Sequence, residues 1–322
     1  MSADKFRDST HYRDWIFTEE DLSKTRAKVN EKFTNIVRER MLEELSLQNK
    51  EASLEVLPPT LTVEEELELV NYYSFQLNAL SSALSLPTHI RSTAILFFKR
   101  FYLINSVMEY SPKIISFTSL FLATKCNDHY ISIEQFCKNM PKTTPEEVLE
   151  YEFNVCQSLK WDLYVWLPFR PLQGFLLDCQ TVLPKVAVEK FYECHDLSKK
   201  FLIETLHSDI YFLHSPSIIA LGAIYHTNPT ICLQYIEAKK IPELQPLIIS
   251  ISANLKATKK FKIEKKKAQD YGRKLYFCMN PLRNKSSALY LKRKAEEEST
   301  NNNKWAKKFS TSSNVLDKNP FE

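Results

Sequence analysis

Glycine is almost missing from this chain: Gly174, Gly222 and Gly272 are the only three in 322 residues. Glycine-rich phosphate loops and the tight turns of a many-stranded sheet both depend on it, so nucleotide-binding α/β folds are disfavoured and helices are expected. The seven cysteines, at 126, 137, 156, 179, 194, 232 and 278, stand singly and never as CxxC. That spacing suggests neither a zinc ribbon nor a disulfide framework, and they read as reduced packing residues of an intracellular protein. No apolar run reaches the roughly 18 residues of a membrane span, and the start MSADKFRDST is polar, so a soluble cytoplasmic or nuclear protein is expected. The histidines form no HExxH and no Ser/His/Asp arrangement can be assembled, so the chain reads as non-catalytic, with no cofactor and no metal site.

What is present is enough apolar material, 44% of residues, for two packed domains of about 100 residues each. The net charge is only +4, but it is unevenly spread: residues 256–274 hold Lys256, Lys259, Lys260, Lys262, Lys265, Lys266, Lys267, Arg273 and Lys274. Such a stretch is a solvated helix face, or an element that contacts nucleic acid or an import receptor.

Helix signals follow one another along the chain. Residues 1–17 form a lead-in segment. Thr18 with Asp21 resembles a capping box, and Phe17 and Leu22 take the positions of a hydrophobic staple, so a helix is expected over 18–45. Residues 46–61, with Pro58-Pro59, read as a linker. Thr62 with Glu65 caps a second helix, stopped by Pro87; Thr88 opens the third, and Ser111-Pro112 supplies an N-cap and N1 proline for the next. A short helix over 131–139 and a long one behind Thr144-Pro145-Glu146-Glu147 complete five helices between 62 and 161. The pattern then restarts over 166–258, with helices expected at 171–182, 185–206, 216–227, 230–238 and 243–258. A weakly amphipathic basic segment, 260–295, is broken at Asn280-Pro281, and a disordered tail is expected over 296–322.

The third helix of each set opens with the same letters, SPKII from residue 111 and SPSII from residue 215, 104 residues apart. A Ser-Pro start is a common helix signal, but the matching five-helix counts point to duplication of a whole small domain. The copies end differently, with Lys125 of the first where the second has Pro229. On a helical wheel Thr118, Phe121 and Lys125 all lie within about 40° of Ile114, so the lysine extends an apolar stripe. Glu152 falls likewise within about 40° of Val148, between Leu159 at about 20° and Cys156 at about 80°. A buried charge without a partner costs several kcal/mol, so Lys125 and Glu152 must pair with each other, reach solvent or meet polar groups of another molecule.

These residues resemble the cyclin family. Two five-helix repeats with FLATK (121–125) in the third helix and LEYE (149–152) in the fifth resemble the cyclin box. FFKRFYLINSVMEYSP (97–112), YRDWIFTEEDLSKTRAKVNEKF (12–33) and PFRPLQGFLLD (168–178) resemble in particular the cyclins of the kinase that activates cyclin-dependent kinases, over about residues 12–280. The resemblance implies an all-α fold of two cyclin boxes with added terminal helices, and a kinase-binding set of Lys125, Glu152, Phe121, Leu122 and Asp128. Asp128 ends a KCND stretch where the family more often has an acidic doublet, and Lys99-Arg100-Phe101 stands where mitotic cyclins have Asp-Arg-Phe. The partners it implies are a cyclin-dependent kinase catalytic subunit, a RING-finger assembly factor and the core of the general transcription factor TFIIH, in the nucleus, with neither membrane nor direct nucleic-acid binding. A duplicated cyclin-fold transcription factor that binds DNA directly is the alternative; it would use the basic stretch, yet its N-terminal zinc ribbon is missing, since no cysteine precedes residue 126.

Overall fold

In a computed structural model, residues 5–49, 53, 55, 57–140, 142–256 and 264–299 are described, and among them there are helices and turns but no strand. No helix is long and apolar enough to cross a membrane among the described residues. A short α1 (Thr10–Trp15) precedes the long α2 (Glu19–Leu47). The Thr18 hydroxyl accepts the Asp21 N–H, and three acidic residues fill the first turn, where the helix dipole favours them. The Phe17 end of this entry is held by the second half of the chain, its N–H donating to the Phe212 carbonyl at 2.7 Å.

The first repeat comprises α3 (Val63–Ala83), α4 (Thr88–Phe101), α5 (Pro112–Cys126), α6 (Ile133–Lys138), α7 (Pro145–Glu150) and α8 (Glu152–Ser158). Capping boxes at Thr62–Glu65 and Thr144–Glu147 start α3 and α7 as the sequence predicts. α5 sits in the middle, packed by α3, α4, α7 and α8. Its buried face runs from Ile115 to Thr124 without a break, as a helix enclosed on all sides must. Each fully buried Leu or Phe there contributes about 1.5–3 kcal/mol. One expectation is corrected: the long helix behind Thr144 is two helices, because Tyr151, at φ −97° and ψ −2°, stays right-handed but departs from the regular α-helical angles between them.

The second repeat comprises α9 (Phe169–Val182), α10 (Val188–Thr205), a single turn α11 (Ile210–Leu213), α12 (Pro216–Thr227), α13 (Pro229–Lys239) and α14 (Gln245–Lys256). Here α12 is central, against α9, α10, α13 and α14. A Cβ on Gly222 would stand 2.5 Å from Ile251 Cγ2, so only glycine lets α14 approach this closely.

α15 (Lys265–Phe277) lies on α3, with Lys267 paired to Glu68 and Lys274 to Glu65. The chain breaks at Asn280-Pro281 into a 3-10 turn, then forms α16 over 288–299. The Glu44 carboxylate of α2 accepts the N–H groups of Ala288 and Leu289, and the Ser287 hydroxyl that of Tyr290. That capping carries helix through 296–299, which corrects the disordered reading there; the rest of the expected tail, and 257–263 of the basic stretch, lie outside the described residues.

Candidate functional site

Lys125 and Glu152 meet. The lysine lies in the last turn of α5, the glutamate opens α8, and the two form an ion pair with side chains 39% and 21% exposed. The Phe121 ring lies beneath the ammonium, 4.9 Å from ring centre to Nζ. Cys126 and Cys156 flank the pair, and burial pushes the Cys126 thiol up to about 11, so it is a packing group and no nucleophile. The carboxylate keeps lone pairs, and the ammonium keeps protons, that face outward for a second molecule.

Local backbone chemistry aims this pair. α5 ends in a turn in which the His129 N–H reaches back to the Thr124 carbonyl (3.0 Å), with Asp128 in left-handed geometry at φ 54°. Aspartate tolerates that conformation, so its place in KCND has a turn reason as well as a charge. α8 ends in the same way without glycine: Lys160 and Trp161 take φ of 54° and 59°, and the Trp161 N–H donates to the Cys156 carbonyl at 3.0 Å. Each such residue costs on the order of 1 kcal/mol. The result is that Trp161, 59% exposed, stands out of the surface against Phe153, 64% exposed, with ring centres 5.8 Å apart. Leu149 on α7 is exposed on the same stretch of chain. At one end of α5, then, a half-open ion pair adjoins unburied apolar side chains, the composition of a protein-docking patch.

The face is braced from behind. The buried Arg100 of α4 pairs with Asp162 (3.3 Å) and lies on the Trp15 ring of α1, 4.8 Å from its centre. Thr10 donates to the other Asp162 oxygen at 2.8 Å, and His11 accepts the Trp166 N–H at 3.1 Å. Burial first, and Arg100 second, lower the His11 pKa to about 2, so its ring is a neutral acceptor. The neighbouring Lys99 turns the other way, donating to the His207 (3.0 Å) and Ser208 (2.5 Å) carbonyls of the second repeat. Desolvation lowers its pKa to about 8 although Asp209, 3.5 Å away and bound at the same time by Arg26 of α2, attracts the charge. Lys99-Arg100 is thus a divided brace: one residue ties the repeats together, its neighbour ties α1 to the loop carrying Trp161.

Of the five residues that the cyclin resemblance implies for kinase binding, Lys125 and Glu152 are joined, and Asp128 is exposed nearby in the turn after α5. Phe121 and Leu122 are buried and belong to the core under the pair. Leu149, Phe153 and Trp161 had no sequence signal, because the break at Tyr151 and the left-handed pair at 160–161 override the helical period. Among the described residues no cluster of three or more His, Cys, Asp or Glu could hold a metal ion.

Comparison with known proteins gives a consistent set of matches. The family model described as the cyclin N-terminal domain matches residues 60–164, and that of the cyclin C-terminal domain residues 167–265. The chain is 36% identical over 241 residues to cyclin CCL1 of Saccharomyces cerevisiae, covering 73% of this chain and 61% of that relative. It therefore spans less than two thirds of that relative's length. A chain in the structure of the CAK complex of Chaetomium thermophilum bound to ATP-gamma-S superposes with a TM-score of 0.81 at 27% identity, over 93% of this chain and 96% of that one. One in the yeast TFIIK complex (Kin28/Ccl1/Tfb3) does so with a TM-score of 0.65 at 31% identity, over 78% and 100%.

Proposed function

The chain belongs to the cyclin family, and from that premise we propose that it is the regulatory subunit that binds and activates the cyclin-dependent kinase of a CDK-activating kinase complex. The observation that carries the docking site is the half-open Lys125–Glu152 pair, with Leu149, Phe153 and Trp161 exposed on the same stretch of chain as Glu152, on the first repeat alone. A kinase whose mobile C-helix is displaced lacks the lysine–glutamate pair and the ordered activation loop that phosphoryl transfer needs. A rigid helical face that binds the in position more tightly than the out position shifts that population, and only differential binding can do so. Preorganisation by the Arg100–Asp162 brace keeps the face rigid before the partner arrives. The chain itself supplies no catalytic group in this reading.

The same reading extends to the assembly. The CAK and TFIIK matches support a kinase catalytic subunit and a RING-finger assembly factor as partners, association with the TFIIH core, phosphorylation of the RNA polymerase II C-terminal domain by the bound kinase, and a nuclear location. Direct DNA binding finds no support in the described part of the basic stretch, where Lys267 and Lys274 are paired with Glu68 and Glu65. The test is co-purification with the kinase, with activity measured on a C-terminal-domain peptide. Lys125→Glu is expected to weaken binding about a hundredfold and abolish activation, while the melting temperature of the free chain stays within a few degrees. Wild-type binding by this variant would sink the docking site.

A further inference from the structure

Position 118 of α5 corresponds to position 222 of α12, and the two residues do opposite things. Gly222 offers no side chain and lets Ile251 of an uninterrupted α14 press on the backbone. Thr118 is fully buried, and its hydroxyl reaches out of α5 to the Val148 carbonyl of α7 at 3.2 Å, as well as back to Ile114 at 3.1 Å. In an unbroken helix the carbonyl of residue 148 would receive the N–H of residue 152. Here a side chain occupies that carbonyl, the helix leaves its path at Tyr151, and Glu152 becomes the first residue of α8.

We infer that Thr118 is a positioning residue for kinase docking: its hydroxyl clamps the end of α7, fixes the break at Tyr151, and so sets the Glu152 carboxylate against Lys125. The role rests on the docking reading above, but the clamp itself is a property of the free chain. Leu149 lies between the clamped carbonyl and the break, so the same bond also orients an apolar element of the face. Without the hydroxyl, Val148 would recover its helical acceptor role, α7 and α8 would tend to fuse, and Glu152 would turn by a fraction of a helical turn away from the pair.

The experiment combines two readouts on the full chain. Thr118→Val keeps the shape and removes the hydroxyl, and Thr118→Ser restores it. Hydrogen exchange of the free protein should change across residues 148–156 in the valine variant and return to the wild-type pattern in the serine variant. Kinase affinity should fall about tenfold in Thr118→Val and stay within about twofold in Thr118→Ser. In a Glu152→Gln background, Thr118→Val should weaken binding by no more than about twofold, the part carried by Leu149, since the rest acts through the one carboxylate. Unchanged exchange over 148–156 would overturn the clamp, and a full tenfold loss persisting in the glutamine background would overturn its action through Glu152. If Glu152→Gln alone binds the kinase like wild type, the docking reading fails, and the exchange data still report separately on the clamp.

Discussion

α5 and α12 begin with the same residues and each occupies the centre of its repeat, yet they end in different company. α5 carries Lys125 in its last turn and closes in a turn that presents Asp128; α12 stops at Thr227, and the residue corresponding to Lys125 is Pro229, the first of α13. The interiors differ too, and most tellingly at 118 and 222, a threonine that grips a neighbouring carbonyl against a glycine that admits a neighbouring side chain. The difference teaches where duplicated helices diverge. Burial holds the middle of both copies fixed, so new function is written at the exposed end and in the one contact that sets the neighbouring helix.

A second contrast is in support. The first repeat is held by α1, α2, α15 and the 3-10 turn before α16, and a buried ion pair, Arg100–Asp162, sits behind its face. The second repeat carries an ion pair of another kind, Asp178 with Lys239, whose side chains are both more than a third exposed. Breaking the two pairs should separate the repeats most strongly. Asp162→Ala leaves the Arg100 charge buried and unpaired and is expected to cost about 3–5 kcal/mol in chemical denaturation, whereas Asp178→Ala, at a pair open to solvent, should cost far less. Equal losses would erase the contrast.

Glycine substitutions sharpen the packing side. Gly222→Ala places a methyl group against Ile251 and should destabilise by about 2 kcal/mol in spite of its better helix propensity. Gly174→Ala in α9 meets nothing within 4 Å and should stabilise by up to about 1 kcal/mol. Thermal unfolding of both variants reads the difference directly.

The last contrast is a pH slope shared between the joints. Burial, helped by Arg100, lowers the His11 pKa to about 2, and burial, helped by Lys99, lowers that of His207 to about 3, both from an ordinary value of 6.5. The folded values lie below the unfolded one, so the unfolded chain takes up the protons first. The stability is therefore complete above about pH 6.5 and falls below it, by about 1.4 kcal/mol per pH unit for each histidine. Urea midpoints at pH 7, 6 and 5 measure the slope, and His11→Asn, which keeps an acceptor for the Trp166 N–H, should remove His11's share of it.

Much of this was legible in the sequence. Thr18, Thr62 and Thr144 mark helix starts because capping is local chemistry, while Ser111-Pro112 and Ser215-Pro216 mark theirs by the N1 proline, the two serines making no side-chain cap. Lys125 and Glu152 were legible as charges on apolar stripes. The break at Tyr151 was not, because its counterpart, the Thr118 hydroxyl, lies 30 residues away from Val148 in the chain. Trp161 was hidden for another reason: left-handed geometry usually announces itself by glycine or asparagine, and here lysine and tryptophan adopt it. The separate destinations of Lys99 and Arg100 depend on residues 207–209 and 162, which no period connects.

The Glu44 carboxylate that caps α16 joins residues 244 and 245 positions apart in the chain. During synthesis both repeats are finished before Ala288 and Leu289 are made, and translation adds on the order of 5–20 residues per second. α2 must therefore wait, its acidic acceptor open to water, while everything between the two partners folds. The closing of that contact is a late event, and it marks a chain that has been made through to α16 from one still emerging.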